Sequence, residues 1–302
     1  MSKKKTATLK KGSILTEEML RARVTPIEHF ESITPAAAEL LAIEGKNIDS
    51  GGYRKSSDLD WLRNISNEVA INLSRSKAWD TLNLDGLGSL SGEAAEALAK
   101  FKGEGGLSLN GLSVLSDKAA EALAKLKGEE LSLNSLISLS DKAAEELGEF
   151  KGKKLLIGGR NTSGEYDEYD RATEIWGGAG EEMRSRFSEN SNLNSDDKEI
   201  ARQAVVAASD NVNERLSKLS DKAAKALAKF KGEKLYLNGL ICLTDKAAEA
   251  LAKCKAALFL NGVISLSDGA AEALAGRKGT VELQGLNELS EQGALSFSKT
   301  NQ

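Results

Sequence analysis

A block of about 24 residues recurs along this chain, and this recurrence limits the possible folds more than any other feature of the sequence. The most similar copies read LSDKAAEALAKLKG at 115–128, LSDKAAEELGEFKG at 139–152, LSDKAAKALAKFKG at 219–232 and LTDKAAEALAKCK at 243–255. A serine or threonine marks each copy: Thr34, Ser66, Ser91, Ser116, Ser140, Ser220, Thr244, Ser267 and Ser290. One interval between marks is 80 residues, which is a repeat of 24 plus 56 further residues. We therefore expect about nine repeat units, the first and last irregular, and one large insertion.

Each unit starts with a short alternating segment, such as LSLN at 107–110 and LYLN at 235–238. Strict alternation of leucine with other residues predicts a short strand whose leucines share one face. The residue that follows, Gly111 or Gly239 in these two units, is typical of a turn.

The second half of each unit predicts a helix. Ser-Asp or Thr-Asp opens it and is a strong N-cap signal, because the side-chain oxygen can accept from a backbone N–H that has no helical partner. The alanine-rich run that follows has high helix propensity, and it places Ala119, Ala120 and Leu123 inward while Lys118 and Glu121 face water. Glycines are expected to end the helices after about three turns: Gly128, Gly152 and Gly232.

A strand and a short helix cannot bury their own apolar face, so successive units must stack on one another. Stacked strands form a parallel sheet, and the helices cover its other surface. Because helices are about 10 Å wide and strands only about 4.8 Å apart, the stack curves with its strands inside. The expected fold class is α/β: a solenoid with parallel strands on a concave face, helices on a convex face and one helical insertion.

This pattern resembles the leucine-rich repeat family, most closely its cysteine-containing class and bacterial relatives, which read roughly L-x-L-x-x-C-x-x-I-T-D-x-x-x-x-x-L-A-x-x-C. Residues 235–254 read LYLNGLICLTDKAAEALAKC, with Leu240 at the first cysteine position and Cys254 at the second. The resemblance covers roughly residues 31–160 and 216–297. It implies a leucine-rich repeat solenoid in which leucine packing at Leu240 replaces the family's usual buried polar ladder.

The insertion differs from the repeats in charge. Residues 160–215 contain 7 basic and 13 acidic residues, a net charge of −6, whereas the rest of the chain has a net charge of +2. We divide the chain into a basic tail and cap segment at 1–30, N-terminal repeats at 31–159, an acidic helical insertion at 160–215, and C-terminal repeats and a cap at 216–302.

The strand residues between the leucines are expected on the concave face. In repeat order the first such residue is Asn83, Ser108, Ser132, Leu156, Tyr236, Phe259 and Glu282. Leu156, Tyr236 and Phe259 come from consecutive units once the insertion is set aside, so they predict an apolar stripe of the kind that anchors interfaces. The sequence leaves open whether a partner or the insertion covers this stripe.

These features favour a non-catalytic interaction scaffold for a protein or peptide partner. Its predicted contact residues are Leu156, Tyr236, Phe259, Asn238, Asn261 and Trp176. A basic patch on the partner would complement the acidic insertion. The alternative is an enzyme, or a small-ligand or cation-binding protein, whose site lies in the insertion and uses Glu165, Asp167, Asp170 or Trp176.

Other classes of function find little support. His29 is the only histidine, so no catalytic residues are predicted, and no cofactor or metal is expected. A net charge of −4 argues against a general polyanion-binding surface, so no nucleic acid is expected as a partner. We expect neither a membrane span nor a secretory signal. Two cysteines form no disulfide framework, and these three expectations together predict a cytoplasmic protein. Cys254 is predicted to be a reduced core residue and Cys242 a loop residue.

Overall fold

The computed structural model describes residues 13–22, 30–44, 56–159 and 216–299, in which short strands alternate with helices. The strands are β1 Ser13–Leu15, β2 Phe30–Ile33, β3 Ser56–Asp58, β4 Thr81–Asn83, β5 Gly106–Ser108, β6 Glu130–Leu133, β7 Lys154–Ile157, β8 Lys234–Tyr236, β9 Ala257–Phe259 and β10 Val281–Glu282. The helices are α1 Glu17–Arg21, α2 Pro35–Glu44, α3 Asn67–Ser74, α4 Gly92–Leu98, α5 Asp117–Leu123, α6 Asp141–Gly148, α7 Asp221–Leu227, α8 Asp245–Ala252, α9 Asp268–Ala275 and α10 Glu291–Lys299.

The strands pair in repeat order. β3 to β10 form one eight-stranded parallel sheet in which each strand lies beside the strand of the next repeat, and β1 and β2 form a separate parallel pair. Consecutive helices likewise contact one another. The predicted α/β class is therefore confirmed, as a parallel sheet alternating with helices in a solenoid-like repeat.

Leucines form the core between the sheet and the helices. Leu107 and Leu109 are buried, whereas Ser108 and Asn110 between and after them are half-buried, as strict alternation predicts. Full burial of one leucine side chain contributes about 1.5–3 kcal/mol. Four repeats supply three buried leucines on this pattern: Leu82, Leu84 and Leu87; Leu107, Leu109 and Leu112; Leu131, Leu133 and Leu136; and Leu235, Leu237 and Leu240.

A second column of core residues follows the helices, and it becomes polar at both ends. In repeat order the column contains Ser76, Phe101, Leu126, Phe150, Phe230, Cys254 and Arg277. The Ser76 hydroxyl donates to the carbonyl oxygen of Ala42 at 2.9 Å. The Arg277 guanidinium donates to the carbonyl oxygens of Cys254 at 2.8 Å and Ala256 at 2.6 Å, and burial lowers its pKa. These two polar residues satisfy backbone carbonyls where the apolar column ends.

The N-cap hydroxyls join neighbouring repeats as well as capping their own helices. Ser140 Oγ accepts from the backbone N–H of Ala143 at 2.9 Å and donates to Asp117 Oδ1 of the preceding repeat at 2.5 Å. The same donation links Thr244 to Asp221 at 2.5 Å. It also links three further pairs: Ser220 to Asp141, Ser267 to Asp245, and Ser290 to Asp268. A Ser-Asp or Thr-Asp pair with such a link on both sides therefore contacts two neighbours. Its hydroxyl donates to the aspartate of the preceding repeat, and its aspartate accepts from the hydroxyl of the following repeat.

The predicted helix length and the predicted role of the glycines are wrong. Helices α3 to α9 have seven or eight residues, which is about two turns. The proposed terminators lie four or five residues beyond the helix ends: Gly128, Gly152 and Gly232. A Cβ at Gly128 would lie 2.5 Å from Gly106 Cα, and one at Gly232 would lie 2.5 Å from Gly152 O. These residues are glycines because the turns of adjacent repeats pass too close for a side chain.

The repeat continues across the insertion without losing its phase. The turn after β7 leads through Gly158 and Gly159, at φ of 52° and 157°, and the described chain resumes at Leu216. Leu216 is buried at the position of Leu136 in the preceding repeat and donates its N–H to Leu136 O at 2.6 Å. The 56 residues 160–215 are thus inserted into a single turn, and β7 still pairs with β8. The helices predicted inside 160–215, like the basic tail 1–12, lie outside the described residues.

Among the described residues, no helix is both long enough and apolar enough to cross a membrane.

One rung of the hydroxyl-to-aspartate ladder is missing and can be added. Gly92 occupies the aspartate position before Ser116, and the atoms nearest to a Cβ there belong to the flexible stem of Lys118. We expect Gly92→Asp to raise the free energy of unfolding by about 1 kcal/mol more than Gly92→Ala does, because only aspartate can accept from Ser116. Thermal unfolding followed by circular dichroism measures both variants, and adding Ser116→Ala should remove the difference. Equal stability of the two variants would show that the rung contributes nothing.

Deleting residues 160–215 should leave a folded repeat protein. Joining Gly159 to Leu216 produces GGLSKLSDK, which keeps the spacing of the other repeats and retains the buried Leu216. We expect cooperative unfolding and unchanged helical circular dichroism from the repeats. The control is deletion of 161–216, which has the same length but places Arg160 in the leucine position and should cost about 2–5 kcal/mol. Similar behaviour of both deletions would contradict the assigned phase.

Candidate partner-binding face

The three residues of the predicted stripe lie on adjacent strands. In the sheet register Leu156 lies opposite Tyr236, and Tyr236 lies opposite Phe259. Ser132 continues the line on one side and Glu282 on the other. The predicted alignment is thus confirmed, and we call Leu156, Tyr236 and Phe259 the apolar row.

The two aromatic residues of the apolar row stack on each other. Their ring centroids are 4.1 Å apart and their planes differ by 17°, and both side chains are half-buried. Such pairs contribute about 0.5–1.5 kcal/mol beyond the area they bury. The Lys234 ammonium lies 5.7 Å from the centroid of Phe259, within range of a cation–π interaction. The stack is therefore a preformed element whose side chains lose little freedom on binding.

Tyr236 lies in a locally acidic environment. Burial is the main cause that raises the pKa of its hydroxyl, and the charges of Glu130 and Glu282 raise it further. Glu130 is paired with Lys154 at 3.3 Å. The hydroxyl stays protonated at neutral pH and can donate to a partner.

The asparagines beside the apolar row connect backbones of neighbouring repeats. Asn238 Oδ1 accepts from the N–H of Asn261 at 3.2 Å, and Asn261 Oδ1 accepts from the N–H of Gln284 at 3.2 Å. In the N-terminal repeats Asn110 Oδ1 accepts from the N–H of Asn134 at 3.0 Å. Asn238 and Asn261 therefore have a structural role that the sequence analysis missed. The Asn at the same position after four of the strands, at Asn110, Asn134, Asn238 and Asn261, was the signal that could have revealed it.

Serine and asparagine satisfy each other in the N-terminal repeats. Ser132 Oγ donates to Asn110 Oδ1 at 2.7 Å and accepts from Asn134 Nδ2 at 3.1 Å. Tyr236 and Phe259 occupy the serine position in their own repeats, so these contacts cannot form there. The sheet face thus changes from a polar surface whose side chains bond to one another to an apolar surface at Leu156.

Leu240, whose packing was predicted to replace a polar ladder, is fully buried, yet a ladder of asparagine hydrogen bonds exists two residues before it.

The remaining candidate residues fall outside the described part of the chain. They are Trp176, the alternative site residues Glu165, Asp167 and Asp170, and the single histidine His29. Within the described ranges, no group of three or more His, Cys, Asp or Glu is placed to hold a metal ion.

Both cysteines have the predicted environments. Cys254 is buried in the core column, its Sγ lies 3.8 Å from Phe230 O, and burial raises the pKa of its thiol. Cys242 is exposed in the segment before α8, and both thiols are free.

Comparison with known proteins adds no relative: no model of a protein family matches the chain, and no curated protein matches it.

The acidic surroundings of Tyr236 can be tested by titration. Folding raises the pKa of the Tyr236 hydroxyl, so the protonated hydroxyl contributes to the free energy of unfolding. This contribution is complete below the ordinary tyrosine pKa and is lost as pH rises through the raised value. The difference in phenolate absorbance between the wild type and Tyr236→Phe should show Tyr236 ionising later than an ordinary tyrosine. Glu282→Gln should move this ionisation to lower pH, whereas Glu288→Gln in the same repeat should not. Ordinary titration of Tyr236 would contradict the described environment.

Proposed function

We propose that this protein is a non-catalytic scaffold of the leucine-rich repeat type that binds a protein or peptide partner across the apolar row. The partner contacts Leu156, Tyr236 and Phe259, with Asn238 and Asn261 beside them. Trp176, which the sequence analysis added to these contact residues, lies outside the described residues.

One observation carries this proposal: two stacked aromatic rings and a leucine lie in line on a sheet face whose N-terminal half is small and polar. Packing of the solenoid does not require them, because Ser108 and Ser132 fill the same register positions in other repeats. Tyrosine and other large aromatic residues supply most of the energy of protein interfaces. Exposing part of such a surface brings no benefit to the free protein, which supports a role in binding.

The charges near the apolar row favour a partner with a basic patch. Glu130 and Glu282 both raise the pKa of the Tyr236 hydroxyl. In sequence, residues 160–215 carry a net charge of −6. Opposite charge on the partner would speed its association and fix its orientation.

The leucine-rich repeat assignment is supported by the core. The family pattern expects buried residues at the leucine positions and at the final cysteine position, and Leu235, Leu237, Leu240 and Cys254 are all buried. We further propose a cytoplasmic location, which the two free thiols fit, because a reducing compartment keeps cysteines unpaired.

The test removes the apolar row without changing the repeat. Tyr236→Ser together with Phe259→Ser gives both repeats the LSLN sequence already present at 107–110 and 131–134, so folding should be retained. Proteins from an extract of the native host that are retained on the immobilised wild type are quantified by mass spectrometry against the double variant. We expect the double variant to lose at least one protein that the wild type retains. When that protein is purified, its binding free energy should be weaker for the double variant than for the wild type by about 2 kcal/mol or more.

A matched control carries two changes on the polar half of the same face, Ser108→Ala and Ser132→Ala. Its set of retained proteins should equal that of the wild type. If the serine variant also retains the same proteins with the same affinities, the apolar row is not the binding site and the proposal fails.

A further inference from the structure

A lysine stands at the same place in the turn that follows the helix in seven consecutive repeats. The seven lysines are Lys77, Lys102, Lys127, Lys151, Lys231, Lys255 and Lys278. Each is exposed, and we call this set the lysine edge.

Backbone hydrogen bonds hold neighbouring turns of the lysine edge side by side. The bonds are made by the residues two positions after the lysines of the edge. After Lys151, the N–H of Lys153 donates to Glu129 O at 2.7 Å, and after Lys231, the N–H of Glu233 donates to Lys153 O at 2.7 Å. The N–H of Ala257 donates to Glu233 O at 2.8 Å in the next repeat. Successive lysine backbones are therefore spaced like neighbouring strands, at about 5 Å.

Lys151 and Lys231 are also fixed by the residues on either side of them. Phe150, before Lys151, is buried in the core column, and Gly152, after it, lies where a Cβ would be 2.7 Å from Glu129 O. Phe230 and Gly232 flank Lys231 in the same way. The backbone at these two lysines is thus closely packed on both sides, whereas their side chains are exposed.

The turns of the lysine edge are strongly basic. From each helix end to the next strand they comprise 75–80, 99–105, 124–129, 149–153, 228–233, 253–256 and 276–280. Together they contain fourteen basic and five acidic residues, a net charge of +9. Of the seven lysines of the edge, only Lys151 forms an ion pair with another described residue, Glu149 at 3.2 Å.

Folding does not account for this arrangement. The lysines lie three or four residues beyond the helix ends, where the helix dipole no longer favours a positive charge. Two unit charges about 5 Å apart in water repel by up to about 0.8 kcal/mol, so an aligned row of like charges costs stability. Other lysines of the same turns are paired, as Lys125 is with Glu121 at 3.0 Å and Lys229 with Glu145 at 3.5 Å.

We propose that the lysine edge binds the phosphate backbone of a single-stranded nucleic acid without reading its bases. A flexible strand with regularly spaced charges fits a row of ammonium groups on flexible stems. No large apolar side chain of these turns is exposed, so neither base stacking nor insertion into a lipid surface has a residue to use. A protein partner fits less well, because lysine is depleted from protein interfaces. The net charge of −4 conceals this edge, because the insertion contributes −6.

The test compares two charge-matched variants of the full chain. The first carries Lys151→Gln, Lys231→Gln and Lys255→Gln on the lysine edge. The control carries Lys142→Gln, Lys222→Gln and Lys246→Gln, which are exposed lysines at the other end of the helices in the same three repeats. Fluorescence anisotropy measures binding of a labelled oligothymidylate at several salt concentrations, and circular dichroism checks that both variants fold.

We expect the edge variant to bind at least about tenfold more weakly than the wild type at low salt, and the control to change by less than about threefold. The slope of log affinity against log salt should fall by about two in the edge variant, at about 0.7 per lost phosphate contact. Absence of binding, or equal weakening of both variants, overturns the proposal. Binding that polyglutamate or anionic vesicles abolish as efficiently as unlabelled oligothymidylate also overturns it, since the edge would then select negative charge alone.

Discussion

Each repeat of this protein leaves apolar surface that only the next repeat can cover. Leu107 and Leu109 have no partner within their own unit except a two-turn helix, and they are fully buried only because neighbouring strands and helices lie on both sides. The same dependence holds for polar groups, since the Asn110 amide and the Ser140 hydroxyl bond to the preceding or following repeat. Stability in such a chain belongs to the interfaces between units, and the polar residues Ser76 and Arg277 mark where the core column stops.

The elements could be predicted from the sequence because they depend on local chemistry repeated many times. Alternating leucines and the Ser-Asp signal identify the strands and helix starts, and a fixed period places Leu156 beside Tyr236 across 56 residues. Contacts between units were harder to foresee. The sequence shows that Ser140 caps a helix, but not that its hydroxyl donates a hydrogen bond to Asp117, 23 positions earlier. Gly128 resembles a helix terminator in sequence, and its true reason is the close passage of Gly106, which only the packed structure shows.

The candidate binding face was predictable in part for the same reason. Register follows from the repeat, so the line of Leu156, Tyr236 and Phe259 could be inferred, whereas the stacking of the two rings depends on their side-chain rotamers. Net charge was a poor guide to the remaining surface. Because residues 160–215 have a net charge of −6 and the turns after the helices a net charge of +9, the sum over the chain describes neither region.

The junction at Gly159 and Leu216 has a consequence for how such a protein can change. Gly159 and Leu216, which flank the inserted segment, occupy consecutive positions of one repeat. For the pairing of β7 with β8, the insertion is therefore only a longer turn. The entropic cost of closing a loop grows only slowly with its length, which makes the sequence between these anchors nearly free to vary. Gly111, Gly239 and Gly262 occupy the position of Gly159 in their own repeats. A solenoid of this kind could therefore acquire new recognition segments by insertion into these turns. The repeat that receives the segment would set its position along the sheet, and the strands and helices would not need to change.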